Sequence, residues 1–348
     1  MPPPAGFRMP AEWEPRAATW IAWPHKRSDW PGRFASIPWV VAGIVAKLTP
    51  GERVRILVRS PAEERAARGV LRRVRVDLRR VDFVRGRTDR FWTRDSLPTV
   101  VRRDRDGARA LVNWRFNAWA KYDDWRHDAR LGPVVERTLG LPRWEPRIGR
   151  RRIVLEGGAI DVNGRGTLLT TEECLLSPVQ ARNPGLGRRT MERVLARHLG
   201  IRKVLWLGNG IAGDDTHGHV DDLARFVGPR TVVVARCRDR SDANYEPLRD
   251  NLARLRRMTD QDGRALRVVP LPMPAPLFHG AQRLPASYAN FYVGARVVLV
   301  PTFNDPADRV ALAILARYFP RREVVGVHAG DLVLGLGTLH CMTQQEPA

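Results

Sequence analysis

A tight turn recurs four times along this chain, at Asp106-Gly107, Asn163-Gly164, Gly228-Pro229 and Gly294-Ala295. Gly107, Gly164, Gly228 and Gly294 are separated by 57, 64 and 66 residues. Asx-Gly and Gly-Pro pairs suit hairpin turns. Strand-like runs flank them, such as Thr167-Leu168-Leu169-Thr170 and Thr231-Val232-Val233-Val234. Amphipathic helical patterns follow at Arg188–Leu199, Glu246–Arg257 and Pro306–Tyr318, with Asp305-Pro306 as a helix start. Short strands come next, at Val204–Trp206, Val268–Pro270 and Val324–Val327. The N-terminal region offers a helix at Val40–Leu48, a strand at Val54–Val58, a helix at Ala62–Leu71 and a strand at Val74–Leu78. The period is too long for a solenoid. A chain of 348 residues holds five copies of about 70. A closed ring of five ββαβ units is the simplest arrangement; an ordinary mixed α/β domain with accidental spacing is the alternative.

Composition narrows the class. Hydrophobic residues make up 43% and charged residues 28%, as in a globular chain. No apolar run is long enough to span a membrane, and the N-terminus lacks the apolar segment of a secretory signal. Cys174, Cys237 and Cys341 are too few and scattered for a disulfide framework or a Cys-rich zinc site, so a cytoplasmic setting is expected. Lys plus Arg total 59 against 37 acids, a net charge of +22. The arginines are spread over the whole chain rather than gathered in one tail or helix, which is compositional bias. Nucleic acid is not the expected partner despite the charge, nor is a membrane.

The densest chemistry lies in Gly213-Asp214-Asp215-Thr216-His217-Gly218-His219-Val220-Asp221-Asp222. If His219, Val220 and Asp221 open a strand, the imidazole and the carboxylate share one face. Two other readings stand beside this one: a solvated acidic turn, and the H-x-H-x-D spacing of metallo-hydrolases at His217, His219 and Asp221. Cys341 follows Gly335-Leu336-Gly337, whose glycines suggest a sharp turn or a close approach. A lone Cys is usually inert core, the expected role of Cys174 and Cys237. Cys341, with His219 elsewhere in the chain, is a candidate nucleophile. Asp95 precedes the first hairpin and Glu156 the second, while His219 and Asp221 open the third. In a ring of equivalent units these positions converge. Three acids, one His and Cys341 around one pocket ask for a cation, and a planar guanidinium fits paired carboxylates.

These residues, together with Met9-Pro10-Ala11-Glu12-Trp13-Glu14-Pro15, Trp20-Ile21-Ala22-Trp23-Pro24, Trp92-Thr93-Arg94-Asp95, Phe116-Asn117-Ala118-Trp119, Leu155-Glu156-Gly157-Gly158, Leu284–Tyr292, Phe303-Asn304-Asp305-Pro306 and His340-Cys341 with Thr343-Gln344-Gln345, occur in one order from end to end. In that order the chain resembles the agmatine deiminase family, peptidyl-arginine-deiminase-like members of the guanidine-modifying superfamily. The resemblance implies an α/β fold, a five-bladed propeller of ββαβ modules with pseudo-fivefold symmetry, and one catalytic domain over residues 1–348. It implies hydrolysis of a small guanidino substrate, agmatine first, with neither metal nor cofactor. Cys341 would attack the guanidinium carbon, His219 would act as acid and then base, and Glu156 would orient His219. Asp95 and Asp221 would clamp the guanidinium. Trp92 is a candidate for the far end of the substrate or for the pocket wall. Another guanidine (free or peptidyl arginine), amidino transfer to an amine, and polyanion binding on the same fold are the alternatives. A homo-oligomer is compatible with the sequence. Leu97 stands where the family carries Gly, so that loop is expected to differ. His217 and Leu336 are further departures near the site.

Overall fold

The computed structural model describes residues 6–348. Residues 1–5, where the sequence reading of the N-terminus and of the single domain begins, lie outside the described residues.

All four expected hairpins form. Thr99–Arg103 pairs with Arg109–Val112, Asp161–Val162 with Thr167–Thr171, Ala224–Gly228 with Thr231–Arg236, and Tyr292–Val293 with Val297–Thr302, each antiparallel. Each second strand leads through a helix to a third strand that pairs with it in parallel. The helices are Leu131–Leu139, Arg188–Leu199, Tyr245–Arg257 and Ala307–Tyr318. The third strands are Arg143–Trp144, Lys203–Leu207, Arg267–Pro272 and Glu323–His328. Parallel pairing needs such a crossover, because the chain must return to the end at which the second strand began before the third can run beside it.

The fifth ββαβ unit is assembled from both ends of the chain. Gln344–Pro347 pairs antiparallel with Arg16–Ala22, helix Ile37–Leu48 follows, and Arg53–Val58 runs parallel to Arg16–Ala22. The helix Pro61–Arg73 then leads to Val81–Arg85 at the edge of this sheet. The fold is thus a mixed α/β architecture of separate small sheets, and no sheet closes on itself among the described residues.

One expected strand is displaced. Val74–Leu78 is not extended; the strand begins at Val81. Arg75 takes a φ of 60°, and Val76 N donates to Leu71 O at 3.0 Å, which closes the preceding helix. Asp77 then accepts from Arg79 N and sets a 3-10 turn over Leu78–Arg80. The alternating valines therefore finish a helix and bury Val76 rather than enter a sheet. Leu97 needs no special conformation: it is extended, with φ −85° and ψ 153°, as a residue before proline prefers.

The units pack through three apolar clusters, the largest of which joins the terminal unit to its neighbours through Trp20, Trp30, Phe91, Tyr292 and Leu339. Polar bonds fasten the C-terminal strand. Glu346 is buried and accepts from Trp20 Nε1 at 2.9 Å and Arg55 Nε at 2.8 Å. Glu346→Ala leaves both donors short of their partner, and we expect a loss of about 3 kcal/mol in urea denaturation. A change below about 1 kcal/mol, the scale of an exposed ion pair, would mean that this strand is held by packing alone.

Candidate active site

Each hairpin is entered through a short turn, and the side chains expected to carry the chemistry sit on these turns. Asp95 lies in the one-turn helix Thr93–Ser96 before the first hairpin. Glu156 immediately precedes the 3-10 turn Gly157–Ala159. His219 caps the 3-10 turn Val220–Asp222, which carries Asp221. His219 and Asp221 are therefore not on a strand, which starts only at Ala224. Asp214 causes this: its Oδ2 accepts from the backbone N–H of Gly218 at 2.9 Å and of His219 at 3.0 Å, curling the loop. Both side chains reach one site all the same, with His219 Nδ1 3.9 Å from Asp221 Oδ1.

His219 is fully buried among carboxylates. Its Nδ1 lies 3.9 Å from Asp95 Oδ2 and its Nε2 lies 3.6 Å from Glu156 Oε2, so neither nitrogen has a hydrogen-bond partner. Burial alone would lower its pKa, but the Asp95 carboxylate and Glu156 hold the ring's second proton well above the usual imidazole range. Burial pushes Glu156 up, and Arg182 and His219 together outweigh it, keeping this carboxyl below its usual value. Arg182 Nε donates to both Glu156 oxygens, at 3.1 and 3.3 Å. Asp95 accepts from Gly158 N and from Trp119 Nε1, each at 2.9 Å. Burial raises Asp95 to about 6, against the opposing pull of His219.

Asp221 belongs to a chain of buried charges. Its Oδ2 meets His340 Nδ1 at 2.7 Å, and His340 Nε2 meets Glu12 Oε2 at 2.7 Å. Glu12 also takes Arg225 Nη2 at 2.8 Å and Val293 N at 2.7 Å. Burial would raise Asp221, but His340 outweighs it and the carboxylate stays ionised. Its neighbour Asp222 is pushed well above the carboxylate range by burial and by Asp221 itself. Asp221 Oδ1 has no partner, although it is fully buried.

Cys341 Sγ lies 3.8 Å from Asp221 Oδ2 and accepts from Asn290 Nδ2 at 3.1 Å. Burial, then Asp221, Asp222 and Asp95, push its thiol well above the ordinary value. The two glycines before it serve close approach. A Cβ at Gly335 would meet Trp92 Cζ2 at 2.9 Å, and one at Gly337 would meet Trp92 Cζ3 at 2.9 Å. The left-handed conformation falls on Leu336, with φ 65°. Trp92 packs against Trp30 and Phe91 and walls a cavity of about 310 Å³ that Asp95 and Cys341 also line. Asp29, Asp215, Lys26 and Arg90 line the same cavity.

His217 is not brought into a ligand set with His219. Its Nε2 meets Ser177 Oγ at 3.1 Å, held by a positive φ of 63°. Donor atoms close enough to share an ion come instead from Glu156, Cys174 and His219, and from Asp221, Asp222 and Cys341. Cys174 is buried as expected, but it stands beside His219 rather than in plain core. Cys237 is half-buried and unpaired with another cysteine.

Asp95, Glu156, His219, Asp221, Cys341 and Trp92 thus all come to one region. Sequence reasoning missed Glu12, Arg182, Asn290 and His340 as members of it. Asn290 could have been found, since it sits on the turn before the fourth hairpin, the position that Asp95 and Glu156 occupy before theirs. Glu12 and Arg182 carry no such signal.

The chain matches the model of a family described as Porphyromonas-type peptidyl-arginine deiminase over residues 8–347, and it belongs to that family. Among curated proteins it is 38% identical to the agmatine deiminase of Pseudomonas syringae pv. tomato, covering 99% of this chain and 96% of that one. Among solved structures it is similar to the agmatine deiminase of Enterococcus faecalis, with a TM-score of 0.90 and 32% identity over 98% of this chain and 96% of that chain. It is also similar to a cysteine-to-serine variant of C. jejuni agmatine deiminase with substrate bound, with a TM-score of 0.86 and 26% identity over 98% of this chain and 96% of that chain.

The packing at Gly158 offers a direct check on this geometry. A Cβ there would stand 2.5 Å from His219 Nδ1 and 3.0 Å from Asp95 Oδ1. Gly158→Ala is expected to destabilise the fold by about 1–3 kcal/mol in urea denaturation, the usual cost of overpacking. An unchanged midpoint would mean that the His219 ring moves aside freely.

Proposed function

We propose that this protein is a hydrolase of a C–N bond, converting agmatine to N-carbamoylputrescine and ammonia. The observation that carries the reading is the buried, half-satisfied polar set around Cys341. Asp221 Oδ1 lacks a donor, and the Asp95 carboxylate lies on the other side of the same His219 nitrogen. Such groups are costly to bury unless a ligand completes them. A guanidinium supplies the donor that Asp221 Oδ1 lacks and brings a positive charge to the carboxylates around it. The full-length likeness to agmatine deiminases supports the choice of substrate.

Each residue then has a role. Asp95 and Asp221 hold the guanidinium nitrogens and turn its carbon toward Cys341. The arriving cation offsets the Asp221 and Asp95 carboxylates that oppose a negative sulfur, so the thiol releases its proton to solvent and ionises in the complex. The thiolate forms an S–C bond to the guanidinium carbon. His219 gives its proton to the departing nitrogen as the C–N bond breaks and ammonia leaves. His219, now neutral, takes a proton from water; the O–C bond forms, the S–C bond breaks and the ureido product leaves. Glu156, fixed by Arg182, orients His219. Trp92 walls the cavity, and Asp29 and Asp215 offer carboxylates to a second cationic end. Neither metal nor cofactor enters this scheme.

In the same reading the five units form a ring, a five-bladed propeller of one domain, closed where the terminal strands share a sheet. No helix among the described residues is long and apolar enough to cross a membrane, and the three free cysteines suit a reducing cytoplasm.

The test is ammonia release from agmatine and a panel of guanidines that includes arginine. Cys341→Ala is expected to lower kcat by at least about 10⁴-fold while agmatine still binds. Full turnover by that variant would remove the covalent scheme, and release from another guanidine alone would change the substrate. EDTA is expected to leave turnover unchanged; loss restored by added zinc would favour a metal at one of the two donor clusters. A third outcome concerns pH. Asp95 must be ionised to hold a cation, and its carboxyl sits at about 6. kcat/KM is therefore expected to rise as pH increases through about 6. An acid limb unchanged in Asp95→Asn would assign it to another group.

A further inference from the structure

Asn290 is fully buried on the turn Ser287–Asn290, before the strand Tyr292–Val293. Its oxygen accepts from Thr338 Oγ1 at 2.7 Å, His340 N at 3.0 Å and Cys341 N at 3.4 Å. Its nitrogen faces Asp222 Oδ1 at 2.9 Å and Cys341 Sγ at 3.1 Å. The orientation of the amide is fixed by chemistry. Backbone N–H groups can only donate, so the atom that meets two of them is the oxygen, and the nitrogen is left for the sulfur.

The charged groups facing the sulfur are Asp95, Asp221 and Asp222, with His219 behind the first two and His340 behind Asp221. Three acidic side chains crowd the sulfur, and those that are ionised oppose a thiolate. Among the described residues, Asn290 is the one side chain whose N–H donates to Sγ. A cationic donor there would compete with a guanidinium for Asp95 and Asp221. A neutral amide stabilises the anion without adding charge.

We propose that Asn290 is the positioning residue of the nucleophile: its N–H fixes the Cys341 sulfur and favours its ionised form, while its oxygen seats the loop that carries the cysteine. This rests on the reading of Cys341 as the nucleophile. Asp222 takes the second amide hydrogen and so keeps the first aimed at sulfur.

The experiment follows alkylation of Cys341 by iodoacetamide against pH, read by peptide mass spectrometry, together with kcat and KM for agmatine. Asn290→Asp keeps the accepting oxygen for His340 and Cys341 but removes the N–H. Its alkylation midpoint is expected to move up by about one pH unit or more, with kcat reduced about 10- to 100-fold and KM altered less than about threefold. The double variant Asn290→Asp with Asp222→Asn keeps the number of acids around the sulfur at its wild-type value but not the donor, and is expected to keep the displaced midpoint. Asn290→Ser, too short to reach the sulfur, carries the same expectation and replaces the aspartate should that variant not fold. A midpoint superimposed on wild type in the single variant overturns the proposal. So does a wild-type midpoint in the double variant, since charge alone would then explain the shift. Full activity in Cys341→Ala would fell the nucleophile reading instead, and the alkylation profile would still report on the sulfur.

Discussion

Everything near the centre of this protein depends on burying carboxylates next to cations that cannot leave. Glu12 is the hub. One oxygen takes His340 and Arg225, the other takes the Val293 amide, and Arg94 approaches at 3.6 Å. These partners belong to different parts of the chain: the turn before the last strand, the third hairpin, the fourth hairpin and the turn before the first. A buried ion that loses its partner is costly, so the N-terminal segment locks those elements in one relative position. Asp161 extends the lattice by accepting from Arg225 Nε at 2.9 Å. Isolated apolar contacts could not set the angle of Asp221 to within a hydrogen bond; this charged chain does, through His340.

The same physics underlies the proposed scheme, in which the site becomes reactive when a cation arrives. Its neutral state is uncomfortable: a protonated imidazole, an ionised Asp221 with one bare oxygen, and a thiol held protonated by three acids. In that scheme a guanidinium repairs the charge balance and creates the thiolate at once. The scheme thus draws specificity and activation from one set of carboxylates, and by it a neutral analogue gains neither. The role proposed for Asn290 fits this logic, because a neutral amide would assist the sulfur without spending any positive charge that the substrate must supply.

The hairpin turns were legible because glycine and asparagine there have local backbone reasons. The helices Arg188–Leu199, Tyr245–Arg257 and Ala307–Tyr318 were legible because one apolar face repeats at helical spacing. Val74–Leu78 misled because a valine alternation can also close a helix, and only the positive φ of Arg75 decides which. His219 and Asp221 were expected to share a face through strand alternation. They share it through a loop that Asp214 curls, which no periodicity reveals. The second partners stayed hidden for a related reason: Glu12 and Arg182 act on residues far away in sequence, and nothing local marks them.

The sequence by itself determined the repeat, the turns, the helical faces and the residue types of the site, since these follow from local backbone preference and side-chain chemistry. Family likeness through ordered motifs was also written there. Only the tertiary structure decided that the fifth unit is built from both chain ends. It also decided that Cys174 stands beside His219, that His340 bridges Asp221 to Glu12, and that the Asn290 amide turns its nitrogen to the sulfur. Each of those depends on distances between segments remote in sequence, which are set by how buried charge and apolar faces are satisfied together.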